Sequence, residues 1–237
     1  MRRPYSPPRL LESRVILPTH VEQLQASAID FTTAAFAGVS SVPHAQAHDL
    51  GIRGDGDLGG LCFRYWQPQE QRFSKRFIRV KPDVPIADRK YLQPVGEKPT
   101  LYFPAGTTGR ELENPLLPVL ITEGEKKVLA LHRALHDIDQ PGLVIGLGGV
   151  WSWRLSPKET QPDGRLGKGK SRPIADLNLI VWQGRTVYLI FDSDVVTNVK
   201  VSHAESVLAS ELSHRGAHVY IVRIPGGELC RRLASTI

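Results

Sequence analysis

The chain has 237 residues, 41% of them hydrophobic and 23% charged, with a net charge of +6 and a pI near 9.4. That length buries a substantial core, and no apolar run approaches the length of a membrane-spanning helix. Only two cysteines occur, Cys62 and Cys230, in no CxxC pattern, which excludes a zinc ribbon and a disulfide framework. The positive charge suits a polyanionic partner. It is spread evenly: residues 1–115 and 116–237 each hold 15 Lys+Arg against 12 Asp+Glu, so no basic tail stands out.

Residues 1–18 contain four prolines and read as a flexible leader; they are basic but lack the apolar stretch of a secretory signal, which points to a cytoplasmic protein. A small α+β domain is expected over 19–114. Within it, HVEQLQASAIDFTTAAFAGV has helical spacing broken near Asp30, hence two short helices. GGLCFRYWQP, QRFSKRFIRVKP and KPTLYFPAG read as strands of a small antiparallel sheet, with Arg72, Lys75, Arg76, Arg79 and Lys81 on a basic face.

From residue 115 to 227 the pattern becomes strand, helix, strand, inserted loop over 151–182, strand, helix, strand. The strands LPVLIT, GLVIGLGG, TVYLIFD and AHVYIVRIP are unbroken apolar runs, and EKKVLALHRALH and SHAESVLASELSHRG are helical, the latter closed by Gly216. Apolar strands alternating with helices indicate a four-stranded parallel sheet with helices on both faces, whose ligands gather at the carboxyl ends of the strands. His132 and His136 lie four apart on the first helix without a third ligand nearby, and read as a solvated helix surface.

Both acidic clusters fall at those carboxyl ends. In VYLIFDSD, Asp192 and Asp194 lie two apart and so share one face of an extended segment. Two such charges about 5 Å apart repel by roughly 3 kcal/mol at an effective dielectric near 20, a cost a divalent cation or solvent removes. In LPVLITEGEKK, Thr122 and Glu125 match a capping box, which accounts for Glu125, whereas Glu123 stands at the strand-to-helix junction. An ordinary βα turn and a favourable charge beside a helix amino terminus explain the same residues without any chemistry.

The segments ITEG and FDSD, with LYFPAG, ITEGEKKVLAL, IGLGGVWSWR and LIVWQGRTVYLIFDSDVVTN through HVYIVRIPGG, resemble a Toprim domain. That domain is shared by bacterial-type primases, topoisomerases and certain nucleases. The closer likeness, over residues 20 to 227, is to an uncharacterised, primase-like Toprim subfamily of phage, plasmid and mobile-element replication proteins. The resemblance implies Glu123 as general acid or base, and Asp192 and Asp194 as ligands of Mg²⁺, with Mn²⁺ as a substitute. It also implies DNA as partner, single-stranded for preference, with nucleotides as further ligands and a separate helicase for unwinding. Lys126 of the same motif is expected on phosphate. The tail, 228–237, departs from the family's acidic continuation, which leaves an inactive nucleic-acid-binding or regulatory module as the alternative to a primase or nuclease.

GRLGKGKS, residues 164–171, fits the P-loop expression GxxxxGK[ST]. A P-loop leaves a buried strand and opens a helix, yet LSPKETQPD precedes and Pro173 follows, so an ATPase site ranks last. The expectation is a mobile glycine-rich loop that presents Arg165, Lys168, Lys170 and Arg172, either to phosphate or to solvent.

Overall fold

The structure, a computed structural model, describes residues 15–87, 89–160, 165–191 and 199–223. They divide into two compact units. The first holds the described residues up to Gln67 together with Arg72–Glu97; the second holds Pro68–Gln71 and the described residues from Lys98 onward. Residues 98–114, placed with the amino-terminal part by their sequence pattern, therefore cluster with the second unit. Among the described residues no helix is long and apolar enough to cross a membrane.

In the first unit the expected helix pair is present. Helix α1 (Pro18–Gln25) starts on a proline, whose missing N–H costs nothing there, and α2 (Phe31–Phe36) is capped by Asp30, which accepts from the Thr33 amide at 2.7 Å. Strand β1 (Ser40–Val42) and helix α3 (His44–Asp49) follow, then β2 (Gly60–Gln67) and β3 (Arg72–Pro82). The three strands form an antiparallel sheet in the order β1-β2-β3, closed over Val42, Ala47, Ile52, Leu58, Cys62, Ile78 and Val80. Gly60 is required by close approach, since a Cβ there would lie 2.1 Å from the Lys81 carbonyl oxygen. The basic face of β3 is interrupted. Pairing shifts between Arg64 and Trp66, and the Ser74 hydroxyl accepts from the Phe77 amide at 3.0 Å; Arg76 is tied to Glu97 at 2.7 Å, and Arg79 lies over Tyr91.

KPTLYFPAG does not join that sheet. Leu101 and Thr100 bind the Asp176 carboxylate, and Tyr102 exchanges backbone hydrogen bonds with Gly146 at the edge of the second unit's sheet. Alternation alone marks a strand without saying which sheet it extends.

The second unit contains α4 (Gly109–Glu113), β4 (Val119–Glu123), α5 (Glu125–Asp137) and β5 (Leu143–Leu147). An antiparallel ribbon follows, with β6 (Arg154–Leu155) paired to β9 (Arg172–Pro173) and β7 (Lys158–Thr160) paired to β8 (Leu166–Lys168). A short 3-10 helix (Ala175–Leu179) leads to β10 (Thr186–Ile190), α6 (Val199–His214) and β11 (His218–Val222). The sheet is parallel throughout, in the order β11-β10-β4-β5. From β4 the chain moves outward through α5 to β5; from β10 it moves the other way through α6 to β11. Right-handed crossovers, the rule for such units, carry α5 and α6 to opposite faces. Strands β4 and β5 are buried as their apolar runs require, whereas β11 forms an edge with Tyr220 55% and Ile221 44% exposed, although its sequence is equally apolar.

Arg185 fastens the frame. It is fully buried at the entry to β10 and donates to the carbonyl oxygens of Leu117, Leu112 and Glu111 at 2.7 Å each, closing the carboxyl end of α4. Burial lowers its pKa to about 10, with the Glu111 carboxylate opposing, so it stays cationic at neutral pH.

Candidate functional site

Strands β4 and β10 are neighbours whose onward connections run in opposite directions, so the crevice beyond their carboxyl ends is a topological switch point, where open parallel sheets bind ligands. Register fixes what stands there. Ile190 pairs with Thr122, so the next positions, Phe191 and Glu123, come level, and Glu123 also pairs with Leu147 of β5. Phe191 is buried and Glu123 half-buried. The next residue after Phe191 is Asp192; it and Asp194 lie outside the described residues.

The turn after Glu123 is made by Gly124, with φ 86° and ψ 150°, a conformation essentially confined to glycine. A Cβ there would meet nothing within 4 Å among the described residues, so the dihedral selects glycine. Gly124 donates to the Leu147 carbonyl at 2.8 Å and is the N-cap of α5. This overturns the capping box. Strand β4 runs on through Glu123, so Thr122 is held buried in the sheet and cannot reach the helix; Glu125 occupies the first helical position and is fully buried without a side-chain cap bond. A buried carboxylate two residues from Glu123 is the feature that the TxxE pattern concealed. The α5 amino terminus, with its partial positive charge, and half-buried Lys126 in its first turn belong to the same edge.

The described part of the glycine-rich segment carries strand β8 within the ribbon. Lys168 lies in β8 opposite Lys158, the Gly169 amide donates to the Pro157 carbonyl at 2.6 Å, and Arg172 lies in β9 opposite Leu155. Ser171 is followed by β9 and a five-residue 3-10 helix, which is not the strand-to-α-helix frame of a P-loop. Arg165, Lys170 and Arg172 are exposed on the ribbon. At its root, Arg154 lies 3.8 Å from the centroid of Trp151, whose ring meets His203 of α6 at 5.7 Å. The structure thus gathers Glu123 and Lys126 at the sheet edge and the other expected cations on the ribbon.

Two further charged features are structural. Glu205, buried on α6, is gripped by both terminal nitrogens of Arg223 just past β11, which raises the guanidinium pKa through the hydrogen bond. His132 has its pKa lowered by burial, with Glu111 opposing and His136 adding to the shift. Among the described residues no three His, Cys, Asp or Glu side chains are grouped to hold a metal. In comparisons with known proteins, a family model described as "Domain of unknown function (DUF3854)" matches residues 111–229, half of the chain. No curated protein and no solved structure matches.

Proposed function

The chain belongs to the family of the domain of unknown function DUF3854, and we propose that within this α/β unit it carries out Toprim-type, Mg²⁺-dependent phosphoryl transfer on nucleic acid, as a primase-like enzyme of mobile-element DNA replication or as a nuclease. The observation that carries the reading is the switch point: β4 ends in Glu123 beside β10, and β10 is followed by Phe191 and then, in the sequence, by Asp192. Glu123 with Asp192 and Asp194, which follow Phe191 in the chain, would make a hard-oxygen donor set, which suits Mg²⁺ or Mn²⁺ and leaves positions for water and phosphate oxygen. Asp192 and Asp194 would hold the ion, which when bound neutralises charge on the phosphoryl group.

Glu123 moves the proton of the attacking or leaving oxygen, as its half-buried position on a rigid strand end allows. Lys126 and the α5 amino terminus stabilise the phosphate's negative charge. The test is incubation with Mg²⁺, ribonucleotides and circular single-stranded DNA, with products sized on a gel. Primers or nicked strands that vanish in Glu123→Gln support the reading. Intact substrate under all conditions overturns it, and strand binding without turnover returns the chain to the inactive-module alternative.

A further inference from the structure

A groove of about 460 Å³ lies between the root of the ribbon and helix α6, within the size range of ligand sites. Its α6 wall is built from His203, Ser206, Val207, Ser210, Glu211 and His214, spaced so that they form one face of the helix. The eleven steps from His203 to His214, at 1.5 Å each, make that wall about 16 Å long. His203 is in the first turns of α6 and meets Trp151, four residues past the end of β5, so the groove opens at the carboxyl edge of the sheet and runs away from it.

The opposite wall holds Arg154 and Arg172. Arg154 is set by its stack on Trp151, and its guanidinium forms no ion pair or hydrogen bond among the described residues. Glu211, the one carboxylate among the described lining residues, is engaged by Arg215 at 2.7 Å, which offsets its charge. Trp153 contributes a second observation. It is 2% exposed, lines the groove, and its indole N–H has no acceptor among the described residues, an omission that an acceptor-rich ligand or a water it retains would relieve.

We propose that this groove holds the sugar-phosphate backbone of a single nucleic-acid strand and leads it to the Glu123 edge, with Arg154 and Arg172 on phosphates and Trp151 positioning Arg154. Its elongation along α6 favours a strand over a compact anion. The proposal rests on the nucleic-acid reading above and adds the path that the strand takes.

The test is fluorescence anisotropy of a labelled oligothymidylate with the full chain in EDTA, so that binding is read without turnover. Arg154→Ala with Arg172→Ala should weaken binding at least tenfold at low salt and flatten the salt dependence by about 1.4, at roughly 0.7 per phosphate contact. Ser206→Glu with Ser210→Glu, both exposed on α6 and away from the core, should weaken binding by a like amount and guards against a misfolded arginine variant. Trp151→Phe should keep more affinity than Trp151→Ala. Wild-type affinity and slope in both double variants would overturn the groove while leaving the enzyme reading intact. Equal competition by thymidine monophosphate would replace the strand with a mononucleotide, and failure of the wild type to bind any oligonucleotide would remove the nucleic-acid reading as well.

Discussion

Gly146 sits in the middle of β5 beneath α5, and a Cβ added there would lie 2.6 Å from Cγ2 of Val128 and 3.2 Å from Cβ of Tyr102. Ordinary carbon contacts begin near 3.5 Å, so the helix or the strand must yield by about 1 Å. Val128 is fully buried, and a β-branched side chain has little rotamer freedom with which to move aside. Overpacking of this kind costs about 1–3 kcal/mol, less up to about 1 kcal/mol regained because alanine restricts the unfolded chain. Gly146→Ala should therefore destabilise by about 1–2 kcal/mol. Val128→Ala, which deletes two buried methyl groups, should cost about 2 kcal/mol. The double variant has no Cγ2 to clash, so Gly146→Ala should be close to neutral in that background, giving a coupling of about 1–2 kcal/mol. Urea unfolding of all four proteins with a common m-value measures it. Additivity within about 0.5 kcal/mol would show that α5 does not seat on Gly146, and the placement of the Glu123 edge would fall with it.

Arg185→Ala strands three buried carbonyl oxygens now bonded at 2.7 Å, so a loss of about 3–5 kcal/mol is expected by urea unfolding; a change below about 1 kcal/mol would contradict its role. Glu123→Gln should fold normally and lose about two to four orders of magnitude in turnover. Glu125→Ala, emptying a fully buried site, should instead cost stability, by about 1–3 kcal/mol, where half-exposed Glu123→Ala costs less than about 1 kcal/mol; the reverse ranking in thermal melts would show that the two carboxylates were misassigned. Because burial lowers the pKa of His132 in the folded state, the unfolded chain binds the proton more readily. Its contribution is complete above the unfolded pKa of about 6.5 and is lost as pH falls below that value toward the folded pKa, so His132→Gln should flatten the pH dependence of stability in that window.

Much of the second unit was legible because its signals are strong and local. Unbroken apolar runs gave β4, β5 and β10, helical periodicity gave α5, and Gly216 closes α6 at φ 89° as its position suggested. The pattern failed where tertiary context decides. VYIV in β11 reads like a core strand, yet nothing in a run of residues says that it will be last in the sheet. The Thr122 to Glu125 spacing satisfies a cap, but pairing of Glu123 with Leu147 keeps the strand going one residue too far for Thr122 to serve. Ribbon strands of two or three residues are shorter than any periodicity can register, so a Gly/Lys-rich hairpin resembled a loop. Helix α4, five residues long, was missed for the same reason despite its Thr108–Glu111 capping box. At the site, Glu123 could be read from its strand end, whereas the β4–β10 adjacency that sets it level with Phe191 exists only in the strand order.

The proposed chemistry requires that a divalent cation bind through Asp192 and Asp194. Titration calorimetry with Mn²⁺ and Mg²⁺, comparing the wild type with Asp192→Asn/Asp194→Asn, measures that directly. The expected result is saturable binding in the wild type and its loss in the double variant, which should be no less stable without metal because two like charges close in sequence are gone. Equal affinity in the two proteins, or no binding in either, would contradict it.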